Sequence, residues 1–150
     1  MPARSFRFRP RFRALAWGSV GVGGALGAAT LAALGGALLP LATGAIGIVL
    51  GSAYLMSPTW KLEVIVDDDA LEVRGAKGTK FRLAWTEVVK VVASKATSTC
   101  FVDGGDPARS LLVPGVGAPA PYDIEDRPAL VAEILAHVDP QKVQEVASLH

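Results

Sequence analysis

Histidine and cysteine are nearly missing from this 150-residue chain, which holds two His and one Cys. No disulfide can form within it, and no His/Cys cluster of zinc spacing exists. Nor do two histidines, one of them the terminal His150, give a Ser-His-Asp arrangement. Charge is absent from one long stretch, the 47 residues between Arg13 and Lys61. Acid is absent from residues 1–13, which carry Arg4, Arg7, Arg9, Arg11 and Arg13. These gaps exclude a wholly soluble globule, a disulfide scaffold and a charge-rich disordered chain. The overall figures of 51% hydrophobic residues and a net charge of +1 average over the split. The arm carries +5 and residues 57–150 carry −4, on either side of an apolar block.

That block, Ala14 to Met56, is 43 residues of mostly Ala, Gly, Leu, Val and Ile. As one helix it would reach about 64 Å, twice the ~30 Å hydrocarbon core. Two spans fit, near 14–34 and 38–56, with the break at Gly35-Gly36 ahead of Pro40. Trp17 at the start of the first span, and Tyr54 and Trp60 at the end of the second, would then form half of an aromatic belt. The arginines place the amino terminus in the cytoplasm, and two spans return the carboxyl-terminal part to the same side. Cys100, with no partner in the chain, is compatible with that reducing compartment. A signal peptide is the competing reading, but its apolar region normally runs 7–15 residues.

Small residues recur at a spacing of four, as Ser19, Gly23 and Gly27 and as Thr43, Gly47 and Gly51. Such rows let helix backbones approach closely, either as a pore or homo-oligomer seam or within one hairpin, and the hairpin is favoured. With no ionisable side chain in either span, nothing marks an ion path. The string Gly21-Val-Gly-Gly-Ala-Leu-Gly27 imitates a dinucleotide fingerprint but lacks the preceding buried strand that chemistry needs. The alternation Phe6-Arg-Phe-Arg-Pro-Arg-Phe-Arg13 suits an arm with rings in the interface and Arg on lipid phosphate. It also suits single-stranded nucleic acid. Its place directly against a span favours the lipid-facing, topogenic role, and no nucleic-acid partner is expected.

After Pro58 the period changes to two. Leu62, Val64 and Val66, then Leu71 and Val73, then Phe81, Leu83 and Trp85 alternate with polar residues. Turns fall at Asp67–Asp69 and at Gly75-Ala-Lys-Gly78. Further strands are expected at 88–93, 97–102 and 110–113, the last two separated by a turn at 103–106, with a loop over 114–121. Asp126 and Pro128 mark the start of a helix with an apolar stripe of Leu130, Val131, Ile134, Leu135 and Val138, ended by Pro140. A short second helix through Val143, Val146 and Leu149 is expected to close the chain.

The expected fold class is therefore α+β: a basic arm (1–13), a transmembrane helical hairpin (14–56), and a small antiparallel bent sheet or barrel with a carboxyl-terminal helix (57–150). Leu71-Glu-Val-Arg-Gly75, Phe81-Arg-Leu-Ala-Trp85-Thr-Glu-Val88, Leu111-Leu-Val-Pro114 and the terminal helix carry a resemblance. The chain resembles the bacterial two-span membrane proteins with a cytoplasmic pleckstrin-homology-like domain. That resemblance implies a non-enzymatic, membrane-anchored binding or scaffold module. Its expected partners are the bilayer and a protein or a second copy. The alternative is a small structural subunit of a larger membrane complex, docked through the hairpin. Arg74, Lys77, Lys80 and Arg82 form a candidate anion or partner contact. No catalytic, metal or cofactor residues are assigned. Glu133 and His137 read as a surface pair, Asp67–Asp69 and Asp103–Asp106 as turns, Glu87 as structural and Cys100 as buried and inert.

Overall fold

The computed structural model describes residues 2–149 except Leu34 and Gly36. The chain divides into two units, one of Phe12–Ser57 and one made of residues up to Arg11 together with those from Pro58 onward. The arm as far as Arg11 therefore belongs to the sheet domain, and Phe12 and Arg13 to the helical unit.

Arg4–Pro10 is strand β1, so this part of the arm is a paired element of a sheet. Its period-two pattern has the same meaning as in the other strands: Phe6 and Phe8 are buried, and Arg7 and Arg9 are exposed. The first sheet has the order β4-β3-β2-β1-β8, built from β1, β2 (Glu63–Val66), β3 (Ala70–Gly75), β4 (Gly78–Ala84) and β8 (Tyr122–Ile124). All its pairings are antiparallel. β1 is interior: Arg7 pairs with Glu63 on β2, and Phe8 pairs with Ile124 on β8. Pro10 closes the strand beside Tyr122 of the edge strand β8, where a missing ladder donor costs little. Gly78, at φ +118°, permits the tight β3–β4 turn.

The second sheet, of order β7-β6-β5-β9, holds β5 (Lys90–Ser94), β6 (Thr99–Asp103), β7 (Leu111–Val113) and β9 (Val143–Glu145). β9 runs parallel to β5 and occupies the place expected for a second terminal helix. Pro140 starts a short 3-10 turn, and Val146 N–H then donates to Ala93 O at 2.9 Å. The two sheets are open, so a closed barrel is not formed. One apolar core joins them, with Phe6, Val64, Leu71, Leu83, Val91 and Val102 all buried.

Helix α3 (Arg127–His137) contributes Leu130, Val131 and Ile134 to that core. Burying each such side chain stabilises the fold by about 1.5–3 kcal/mol. Asp126 does not cap this helix as expected: it adopts a left-handed conformation (φ +47°), and its side chain accepts no capping hydrogen bond.

The other unit is an antiparallel helical pair, α1 (Arg13–Ala33) and α2 (Leu38–Leu55). Both are long and apolar enough to cross a membrane by length and composition. Pro40 lies in the first turn of α2, where its missing N–H breaks no intrahelical bond. Gly35 has φ +59°, while Leu34 and Gly36, parts of the expected span end and turn, lie outside the described residues.

Candidate membrane and anion interface

The helical pair buries little of its apolar surface. Leu15, Val22, Leu38 and Leu39 are 70–82% exposed, and Trp17, Leu31, Ile46, Val49 and Leu50 are exposed with them. A core helix of a soluble protein hides such residues, and large contiguous apolar surfaces otherwise mark an interaction with lipid or protein.

Small side chains hold the pair together, and only some of those read from the spacing are at the seam. A Cβ on Gly23 would lie 2.6 Å from Gly44 O, and one on Gly44 would lie 2.7 Å from Gly23 O. Ser19 Oγ donates to Gly47 O at 3.0 Å, and a Cβ on Gly51 would lie 2.8 Å from Ala16 O. Gly27 lies against Gly44 only through its backbone N, and a Cβ on it would meet nothing within 4 Å, while exposed Thr43 donates to Leu39 O within its own helix. The spacing missed Gly44, which lies one turn from Gly47 on the same face. Near the ends that join the rest of the chain, Phe12 N–H donates to Tyr54 Oη at 2.9 Å. Trp60 sits in a 3-10 turn, Pro58–Lys61, that leads into β2.

Three of the arginines before the helical pair are engaged within the sheet unit. Arg4 pairs with Glu133 at 2.6 Å, and Arg9 pairs with Glu125. Arg11 donates through its guanidinium to Ala118 O and through its backbone to Pro121 O. Arg7 is exposed on the same strand, and Arg13 is the first residue of α1.

Of the four basic residues expected at the β3–β4 hairpin, two are committed to a partner. Glu72, only 5% exposed, accepts from Arg74 Nε at 3.0 Å and from Thr79 Oγ1 at 2.6 Å. Arg82 reaches its other oxygen at 3.4 Å and Asp67 at 3.3 Å. The Thr79 hydroxyl, followed by the two guanidinium groups, holds the Glu72 carboxyl below the usual carboxylate range. What shields Glu72 is this thin layer of its own partners on the outer sheet face. Lys77 and Lys80 are exposed, with no ion pair among the described residues.

The remaining candidates take structural roles. Asp67 Oδ1 accepts from the backbone of Asp69 and Ala70, and Asp103 and Asp106 make the same kind of turn bonds. Glu87 accepts from Ala84 N–H and pairs with Arg109 at 2.9 Å. Trp85 donates from its indole to Asp67 O at 2.9 Å and stacks on His137, whose Nδ1 lies 2.8 Å from Glu133 O. Cys100 is fully buried, and burial pushes its thiol up to about 12. His150 lies outside the described residues. Among the described residues, no group of three or more His, Cys, Asp or Glu could hold a metal.

Sequence reasoning did not find one surface. Val92, Phe101 and Leu112 form a cross-strand row on β5, β6 and β7, beside an apolar depression of about 290 Å³ that Pro119 and Leu149 also line. The only sequence signal is that these strands carry apolar residues on both phases. No family model, curated protein or solved structure matches the chain.

Proposed function

We propose that the protein is a non-enzymatic, membrane-anchored binding module with a pleckstrin-homology-like domain on the cytoplasmic side of a bacterial inner membrane. One observation carries the membrane part of this reading: an apolar helical pair whose large side chains are turned outward. The pairing of β1 with β2 supports two spans. The strand before the hairpin and the strand after it belong to one sheet, so both must be on one side of any bilayer the hairpin crosses. It also argues against a cleaved signal peptide, since cleavage after α1 would remove an interior strand. The arginines next to α1 favour the cytoplasmic side. Two sheets with a packed helix support the pleckstrin-homology-like assignment, with β1, β8 and β9 as additions to the strands expected from sequence.

A binding role rests on what the fold offers. Turns and ion pairs engage many of the domain's polar groups, whereas the partly exposed Val92–Phe101–Leu112 row borders an apolar depression. Crosslinking in native membranes, read by mass spectrometry after denaturing purification, tests this. Reproducible adducts to a protein or to a second copy, through residues of the extramembrane domain, are expected. A chain recovered only as uncrosslinked monomer would contradict the binding role. Because Ser19, Gly23, Gly47 and Gly51 are used within the hairpin, the main motive for the complex-subunit alternative is weakened.

A further inference from the structure

Residues 57–150 are acidic, but the unit that folds is not. With β1 included it carries fourteen Lys or Arg and fourteen Asp or Glu. Register then separates the signs along the first sheet. The chain leaves this sheet at Arg11 and re-enters at Pro58. Arg7 on β1, Glu63 on β2, Arg74 on β3 and Thr79 on β4 lie in one row near that end. Continuing toward it, the strands bring Arg9 and Arg11, Lys61, the Lys77 turn and the start of β4, with Lys80 just behind. The acids there are Glu63, Asp123 and Glu125, the last paired with Arg9, and Glu72 reaches Arg74 and Thr79 from the adjoining row. The opposite end holds the Asp67–Asp69 turn, with Glu87 following β4 and Glu133 on Arg4.

This proposal rests on the reading that the hairpin crosses a bilayer. We propose that the basic end of the first sheet, through Arg7, Lys61, Lys77 and Lys80, contacts anionic lipid headgroups of the leaflet from which the hairpin departs. Lys61 is three residues from Pro58, so the chain tethers it within about 10 Å of the point where the helical unit ends. These four side chains are exposed and have no ion pair among the described residues. Anionic headgroups supply the missing counter-charge, and the acidic end is repelled from the same surface. The contact is electrostatic and salt-dependent, with a Debye length of about 8 Å at physiological ionic strength.

The test uses the full-length protein in nanodiscs of phosphatidylcholine, with or without one-third phosphatidylglycerol. Acetylation rates of individual lysines are read by mass spectrometry. Lys61, Lys77 and Lys80 should react about three- to tenfold more slowly in the anionic discs and recover in high salt. Lys90 on β5 and Lys95 in the turn that follows it serve as references and should change little. Equal rates in both discs overturn the proposal. Equal protection in both overturns it in favour of a protein contact on the same surface. A chain that does not enter either disc overturns the membrane reading as well, which separates the two failures.

Discussion

A chain that begins at Pro58 is expected not to form the folded extramembrane domain, whereas one with residues 12–57 replaced by a short Gly-Asn-Gly type linker is expected to form it in solution. Although 46 residues separate Arg11 from Pro58, β1 and β2 are antiparallel neighbours. In the logic of the sheet, the helical pair is a very long hairpin loop, and a short turn can take its place. Removing β1 instead leaves β2 and β8 with unpaired edges and takes Phe6 and Phe8 out of the core. Truncating a buried Phe to Ala costs about 3–5 kcal/mol. Two such losses rival the whole stability of a small domain, about 5–15 kcal/mol. Urea unfolding of the linker form, with and without Phe6→Ala and Phe8→Ala, reads this directly. A cooperative transition in the linker form that each substitution weakens by several kcal/mol is expected. Equal stability of residues 58–150 alone would contradict the interior place of β1.

Gly23→Leu is expected to separate the two apolar helices, and Gly27→Ala to leave them unchanged. At Gly23 a side chain meets backbone, Gly44 O, at a distance no real Cβ contact adopts. Backbone in a packed helix cannot swing aside, so the helices must part, at a cost of about 3 kcal/mol. At Gly27 the space is open. Thermal unfolding in detergent should show a clear fall for Gly23→Leu and none for Gly27→Ala. If instead Gly27→Leu abolished an oligomer while Gly23→Leu did nothing, the small-residue rows would belong to an intermolecular seam.

Most of the sheet was legible because the signals were local. Alternation between turn residues placed β2 to β7 nearly where they lie, and the stripe from Leu130 to Val138 placed α3. What was lost was non-local. Phe6-Arg-Phe-Arg has the same alternation as Leu62–Val66, but its partners are β2, beyond the hairpin, and β8, more than a hundred residues away. A basic segment beside an apolar run has two physical uses, topogenic charge and a strand with a charged outer face, and spacing does not distinguish them. β9 was hidden for a related reason. Val143, Val146 and Leu149 have helical spacing, but β5 offers a free edge that the extended segment fills. In the candidate interface, Arg74 and Arg82 read as available because the buried acid that claims them, Glu72, is also polar in the strand pattern. The seam glycines show the opposite bias. A spacing of four groups residues on a face but does not say which face the second helix covers.

The central claim is that the hairpin crosses the membrane twice and leaves β1 and the rest of the sheet together in the cytoplasm. Single cysteines at the exposed positions Ala3→Cys, Ala37→Cys and Ala136→Cys, probed in intact cells with a membrane-impermeant maleimide, test it directly. Native Cys100 is buried and gives no background in the folded protein. Labelling at position 37 alone, with 3 and 136 reacting only after the cells are opened, is the predicted result. Unequal behaviour of positions 3 and 136, or protection of 37 in intact cells, would contradict it.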